Sequence, residues 1–152
     1  MLRTPLFLLL LASLAACSYN KTPPTWAEKA PFINQMEINA VDKEARELLR
    51  KTSKLNAGAT ASHTIKLAAG KHYAFFADCA DECSNIDLAL QQDGATLKAD
   101  TAADASPMFG FYAAQAGSYQ LVPLMTSCVS ADKKGCKYTV QVFESERQLI
   151  AD

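Results

Sequence analysis

The sequence predicts a mainly β chain: a β-sandwich of about seven to eight antiparallel strands, preceded by one amphipathic helix. Three observations carry this. From Thr60 onward apolar residues recur at every second position. Turn signals interrupt that pattern about every 8 to 12 residues, as in sandwiches. Only one stretch, residues 39–54, has apolar residues at helical spacing.

The elements follow in chain order. Met1-Leu2-Arg3 is a short basic start, and Leu6 to Ala12 is an unbroken apolar run that Leu14 resumes after Ser13. The run is shorter than the roughly 20 residues that cross a bilayer. A basic start, a short apolar run and the small residues Ala15 and Ala16 make residues 1–16 an export signal. No other segment has the length and apolarity of a membrane span. Leu14-Ala15-Ala16-Cys17 resembles the lipobox of bacterial lipoproteins. That resemblance implies cleavage before Cys17, diacylation of its sulfur and acylation of its amine, with palmitate among the chains. Two or three acyl chains anchor firmly, because each buried CH₂ contributes about 0.8 kcal/mol. Asp after the Cys would resemble an inner-membrane retention signal; Ser18 stands there instead. The implied location is the outer membrane, with the domain facing the periplasm or the cell surface.

Residues 17–32 read as the lipidated Cys and a tether, since Pro23, Pro24 and Pro31 oppose helix and sheet ladders. Trp26 within it is expected to pack back onto the domain. Residues 33–58 hold the helix. Val41, Ala45, Leu48, Leu49 and Thr52 share one face, Asp42–Arg46 and Glu47–Lys51 are acid-before-base pairs four apart, Asn39 stands at the start, and Gly58 lies beyond the end.

Residues 59–152 make the sandwich. Ile65 and Leu67 alternate within residues 62–68, and Gly70 then punctuates. Tyr73, Phe75, Ala77 and Cys79 fall on one face, and Ile86, Leu88 and Leu90 alternate with Asp87, Ala89 and Gln91. Asp93-Gly94 is a hairpin signal with residues 95–99 returning. Residues 100–107 form a polar loop, residues 108–113 an aromatic strand, and Ala116-Gly117-Ser118 a turn. Tyr119, Leu121 and Met125 alternate, with Pro123 implying an edge or a bulge. Tyr138, Val140 and Val142 give the last strand.

The chain has 15 basic and 16 acidic residues among 152, a formal charge of −1, so no basic field invites nucleic acid. With Cys17 assigned to lipid, four Cys remain, an even number in an oxidising compartment. Of three connectivities, the spacing favours Cys79–Cys83, a tight loop between strands, and Cys128–Cys136, which staples a hairpin. The same spacing suits a zinc site poorly.

The run Ala69-Gly70-Lys71-His72-Tyr73-Ala74-Phe75-Phe76-Ala77-Asp78-Cys79, then Asn85-Ile86-Asp87-Leu88, Asp93-Gly94, Ala116-Gly117-Ser118-Tyr119 and Cys136-Lys137-Tyr138-Thr139-Val140 resembles the bacterial pre-peptidase C-terminal (PPC) domain over about residues 64–143. The resemblance implies an eight-stranded, jelly-roll-like sandwich without catalytic residues, of a kind that serves in adhesion or in binding carbohydrate or matrix.

Catalytic chemistry finds no footing in the sequence. There is no Gly-x-Ser-x-Gly, and the two His, His63 and His72, do not form a His-Glu-x-x-His helix. Asp87, Asp93, Asp100 and Asp104 are hard oxygen donors of the type Ca²⁺ takes in sixes to eights. Some PPC domains bind calcium near their edges, but turn chemistry explains these residues better, and no cofactor is expected. Ala69-Gly70-Lys71-His72-Tyr73 is similar to the Ser-Gly-x-x-Tyr loop of periplasmic lysozyme inhibitors, with Ala in place of Ser. Lys71, His72 and Tyr73 are therefore the candidate binding residues, although Gly70 and Tyr73 also suit turn and core.

The leading expectation is a lipid-anchored, non-enzymatic module that binds a protein or glycan of the cell envelope. The alternatives are a lysozyme or hydrolase inhibitor, and a structural accessory of an envelope complex that docks through the 39–54 helix.

Overall fold

The computed structural model describes residues 22–130 and 134–151. Among the described residues one helix, α1 (Trp26–Val41), precedes eight strands: β1 (Arg46–Leu55), β2 (His63–Leu67), β3 (Lys71–Cys79), β4 (Cys83–Gln92), β5 (Ala95–Asp100), β6 (Met108–Ala113), β7 (Gly117–Cys128) and β8 (Cys136–Ser145). They form two four-stranded sheets, β1-β8-β3-β6 and β2-β7-β4-β5, antiparallel throughout. Only β4 and β5 are consecutive neighbours in one sheet, joined through Asp93 and Gly94, both at positive φ. Every other step crosses between sheets, the order of an eight-stranded jelly roll.

Between the sheets lies the main core. Tyr73, Phe75, Ala77 and Cys79 of β3, with Tyr138, Val140 and Val142 of β8, meet Ile86, Leu88 and Leu90 of β4 and Tyr119, Leu121 and Met125 of β7. These are the period-two residues of the sequence pattern. Pro123 sits in β7 where β2 has ended. Its carbonyl accepts from the Ala61 N–H at 3.2 Å, so its ring nitrogen faces irregular chain rather than a ladder partner.

The helix is displaced from its expected place. Residues 39–54 do not form a helix, and the 17–32 segment is not wholly a tether, because α1 begins at Trp26 and ends at Val41. Two causes are visible. First, Pro31 stands inside the helix, where its missing N–H leaves the Ala27 carbonyl without its helical donor. The Thr139 hydroxyl supplies one at 2.7 Å, so a partner far along the chain repairs the break. Second, the Leu48-Leu49 pair fits a strand with a bulge as well as a helix face. The register shifts between Glu47 and Leu49, and both leucines pack against the main core. Pairing with β8 along nine positions outweighs helix propensity. The expected ion pairs are replaced accordingly: Arg46 meets Glu144 at 2.9 Å across the strands, and Arg50 meets Glu47 at 2.7 Å. Asn39 lies in the last turn of α1, not at a helix start.

Helix α1 packs on the outer face of the first sheet, which is therefore covered on both sides. Ile38 joins Ala74, Phe76, Phe143 and Leu149 in a second apolar cluster. Beside it runs a buried polar row. Asn34 donates to Asp78 at 2.8 Å and to Gln141 at 3.0 Å, and Gln141 donates to the Pro31 carbonyl at 3.2 Å and to Glu47 at 2.8 Å. The molecule thus has three layers: helix, covered sheet and open sheet.

Candidate functional site

The turn that carries the candidate binding residues is built by Gly70, whose φ of 77° places it in the left-handed region. Tyr73 then points into the core and is 1 % exposed. Its hydroxyl accepts from the Ala68 N–H at 2.8 Å and donates to Glu144 at 2.8 Å. Burial, and then the Glu144 hydrogen bond, push its pKa up to about 12. Tyr73 is a core residue and offers no side chain to a ligand. Lys71 is ion-paired with Glu146, and the His72 ring lies 5.0 Å from the exposed Tyr112 ring.

The four aspartates are apart in role. Asp93 forms the β4–β5 turn. Asp100 accepts from the N–H groups of Ala102 and Met108, both at 3.0 Å, and Asp104 from that of Ser106 at 2.9 Å. These are turns built by Asp side chains. Asp87 alone faces outward from a strand. Among the described residues no three His, Cys, Asp or Glu side chains converge as a metal site would require.

Both favoured disulfides are present, Cys79–Cys83 and Cys128–Cys136, each with Cα atoms 5.8 Å apart. Each joins a strand of the covered sheet to one of the open sheet, β3 to β4 and β8 to β7. Such bonds form and persist in oxidising compartments.

The histidines do not assemble a catalytic pair. Buried His63 meets the Tyr138 hydroxyl at 3.1 Å, and burial followed by the Lys51 charge lowers its pKa. Among the described residues neither His hydrogen-bonds a Ser, Thr or Cys. Asp78 is the other shifted group in a structural role. Burial raises its pKa against the opposing pull of hydrogen bonds from Ser106, Asn34 and Trp26. Trp26 donates to it at 3.2 Å and to Ser106 at 2.9 Å, so the indole packs back onto the domain.

The candidate site is a surface that the sequence pattern did not single out. On the outer face of the open sheet, Ala89 of β4 lies between Val122 of β7 and Ala99 of β5, and Asp87 lies opposite Leu124. These residues, with Thr60, Gln91, Thr96 and Thr101, line a shallow trough of about 350 Å³. Alternation predicts polar residues outward on a solvated antiparallel sheet. Val122, Leu124, Ala89 and Ala99 break that rule, and this is the signal by which the trough is legible. Among the described residues no aromatic side chain lines it.

No protein-family model and no curated protein sequence matches the chain. Among solved structures, one similar fold is the crystal structure of Aeromonas hydrophila PliG, a periplasmic lysozyme inhibitor of g-type lysozyme. It is 13 % identical, with 68 % of this chain and 90 % of that one covered, at a TM-score of 0.46. Another is the solution structure of a de novo designed double-stranded β-helix, 9 % identical over 64 % of this chain and 99 % of that one, at a TM-score of 0.37.

Proposed function

We propose that the chain is a bacterial outer-membrane lipoprotein, anchored through Cys17, whose sandwich is a non-catalytic binding module of PPC-like type for a protein of the cell envelope. The lipobox resemblance supports the anchor; Cys17 itself lies outside the described residues. The two disulfides support an oxidising compartment, and the jelly-roll strand order supports the PPC-like reading.

One observation carries the binding role: an aliphatic trough with a polar rim on the outer face of the open sheet. The rim is made by Asp87, Gln91, Thr96 and Thr101. Half-buried aliphatics ringed by hydrogen-bonding groups are the makings of a protein interface. The absence of aromatic lining favours a protein over a glycan, because a sugar ring finds no aromatic face to lie on. An inhibitor that plugs a lysozyme cleft with the Gly70–Tyr73 loop has less support, since the Tyr73 side chain is buried.

The test is photo-crosslinking in intact cells. A photoreactive residue at Leu124 should join the chain to one discrete envelope protein, while the same residue at exposed Lys43 should not. An identical adduct from both positions, or none from Leu124, overturns the trough as the binding surface. Retention of the chain on purified envelope glycan, lost on Leu124→Lys, transfers the site to a glycan. Palmitate incorporation that disappears with Cys17→Ala tests the anchor separately.

A further inference from the structure

Helix α1 is apolar on two faces, and the covered sheet occupies only one of them. Ala27, Ala30, Asn34 and Ile38 face the sheet. Phe32, Ile33 and Met36 face outward and are 65 %, 39 % and 72 % exposed. The outer side of this layer continues the pattern. Val41 at the helix end borders an apolar cleft of about 240 Å³ with Met108, and Tyr112 projects from the same side of β6. Among the described residues, seven of the nine large exposed apolar side chains lie on this side, and only Leu97 and Val129 lie elsewhere. A folded domain rarely collects its exposed apolar residues on one side without a partner.

The covalent chain limits what that partner is. Cys17 precedes Trp26 by nine residues, which span about 30 Å at full extension. The helix, 16 residues long, spans about 24 Å. A bilayer holding the lipids of Cys17 is thus within reach of the whole outward face. The residues around the face suit a lipid surface. Lys29 stands beside Phe32 on the outward side, and the Arg50 guanidinium, which is paired with Glu47, sits 5.4 Å from the Phe32 ring. Long basic side chains of this kind lay their stems on apolar surface and keep their charge at the headgroups. The exposed edge of Trp26 belongs at the same depth.

We infer that the outward face of α1, centred on Phe32, Ile33 and Met36, seats the domain on the surface of the bilayer that anchors it. The inference rests on the lipoprotein reading above. It has a consequence for that reading: α1 and the open sheet are opposite layers, so a seated helix turns the trough away from the membrane and toward soluble or surface-borne partners.

The chain has a single Trp, Trp26, at the start of this helix, which makes its fluorescence a local depth gauge. The lipidated chain is reconstituted in phosphatidylethanolamine–phosphatidylglycerol vesicles containing brominated lipid, and quenching of Trp26 is compared with that in Phe32→Asp/Met36→Asp. An unacylated chain without the signal, residues 18–152, is added to the same vesicles. Strong quenching in the wild type that falls severalfold in the double variant is expected. Vesicle partition of the unacylated chain should fall about tenfold or more with the same substitutions. Both side chains are solvent-exposed, so the melting temperature should stay put; if it does not, Met36→Ser alone is used. Equal quenching in both chains, or none in the wild type, overturns the inference, and wild-type dimers dispersed by the double variant would assign the face to a second copy. If Cys17 carries no lipid, the lipoprotein reading fails, and the unacylated chain still decides whether the face binds a bilayer.

Discussion

The two outer faces of the sandwich receive opposite treatment. On the covered sheet, Ala74, Phe76 and Asp78 of β3 and Thr139, Gln141, Phe143 and Ser145 of β8 are all buried beneath α1 and the C-terminal segment. On the open sheet, Asp87, Ala89, Val122 and Leu124 remain half-exposed. The consequence reaches back to the sequence. Strands buried on both faces lose their alternation, so β3 and β8 are buried almost continuously while β4 and β7 alternate. The covered face gives stability, and the open face leaves its apolar residues partly exposed.

The largest expected effect breaks this contrast at the covered face. Phe143 is fully buried and packs edge-on against Phe76 at a centroid distance of 5.8 Å. Phe143→Ala should destabilise by about 3–5 kcal/mol, read as a lower urea midpoint at unchanged slope. A loss below about 1 kcal/mol would mean that the helical layer contributes little to the fold.

The disulfides come next, because they tie the two sheets together at one end. The loop-entropy model gives about 2 kcal/mol for Cys79–Cys83 and about 2.6 kcal/mol for Cys128–Cys136, whose partners are 4 and 8 residues apart. Cys→Ala pairs should show these losses in denaturant melts, with the longer loop costing more. The opposite ranking would locate the weaker join between sheets at β3–β4.

Much of this architecture was legible in the chain. The alternation of Ile86, Leu88 and Leu90, the Asp93-Gly94 turn and the cysteine spacing each report local geometry, and local geometry held. What was hidden depends on distant partners. Nothing near Pro31 announces that Thr139 will supply its missing hydrogen bond, and nothing in Leu48-Leu49 separates a helix face from a bulged strand until β8 lies alongside. Asn34 and Gln141 read as surface residues because their partners are 107 positions apart. The burial of Tyr73 has a related reason: a Gly followed by an aromatic serves a turn and a core as readily as a ligand. The trough was visible only as outward Ala and Val where polar residues belong.

A pH titration sharpens the comparison further. Burial raises the pKa of Asp78 above its ordinary value of 3.8. The folded state therefore holds that proton more tightly than the unfolded state, and stability falls as pH rises through the window that opens at 3.8. Glu28 has the opposite sign. Hydrogen bonds from Lys137 and then from Thr25 lower its pKa from 4.5 to about 2, so its contribution is present above 4.5 and is lost as pH falls toward 2. Asp78→Asn should flatten the first slope and leave the second, measured by urea melts across the acid range. An unchanged slope would remove Asp78 from the buried row.

The smallest expected effect on stability belongs to the open face. Leu124 is half-exposed, and the stem of a lysine in its place lies along the sheet while its charge reaches water. Leu124→Lys should therefore change stability by no more than about 0.5 kcal/mol, while abolishing capture of the partner. The pairing of results decides between two accounts of the trough. Little destabilisation with loss of binding means that its apolar residues are held for a ligand. A loss approaching that of Phe143→Ala would mean instead that the open face is covered by part of the chain itself, and that the two faces differ less than their exposure implies.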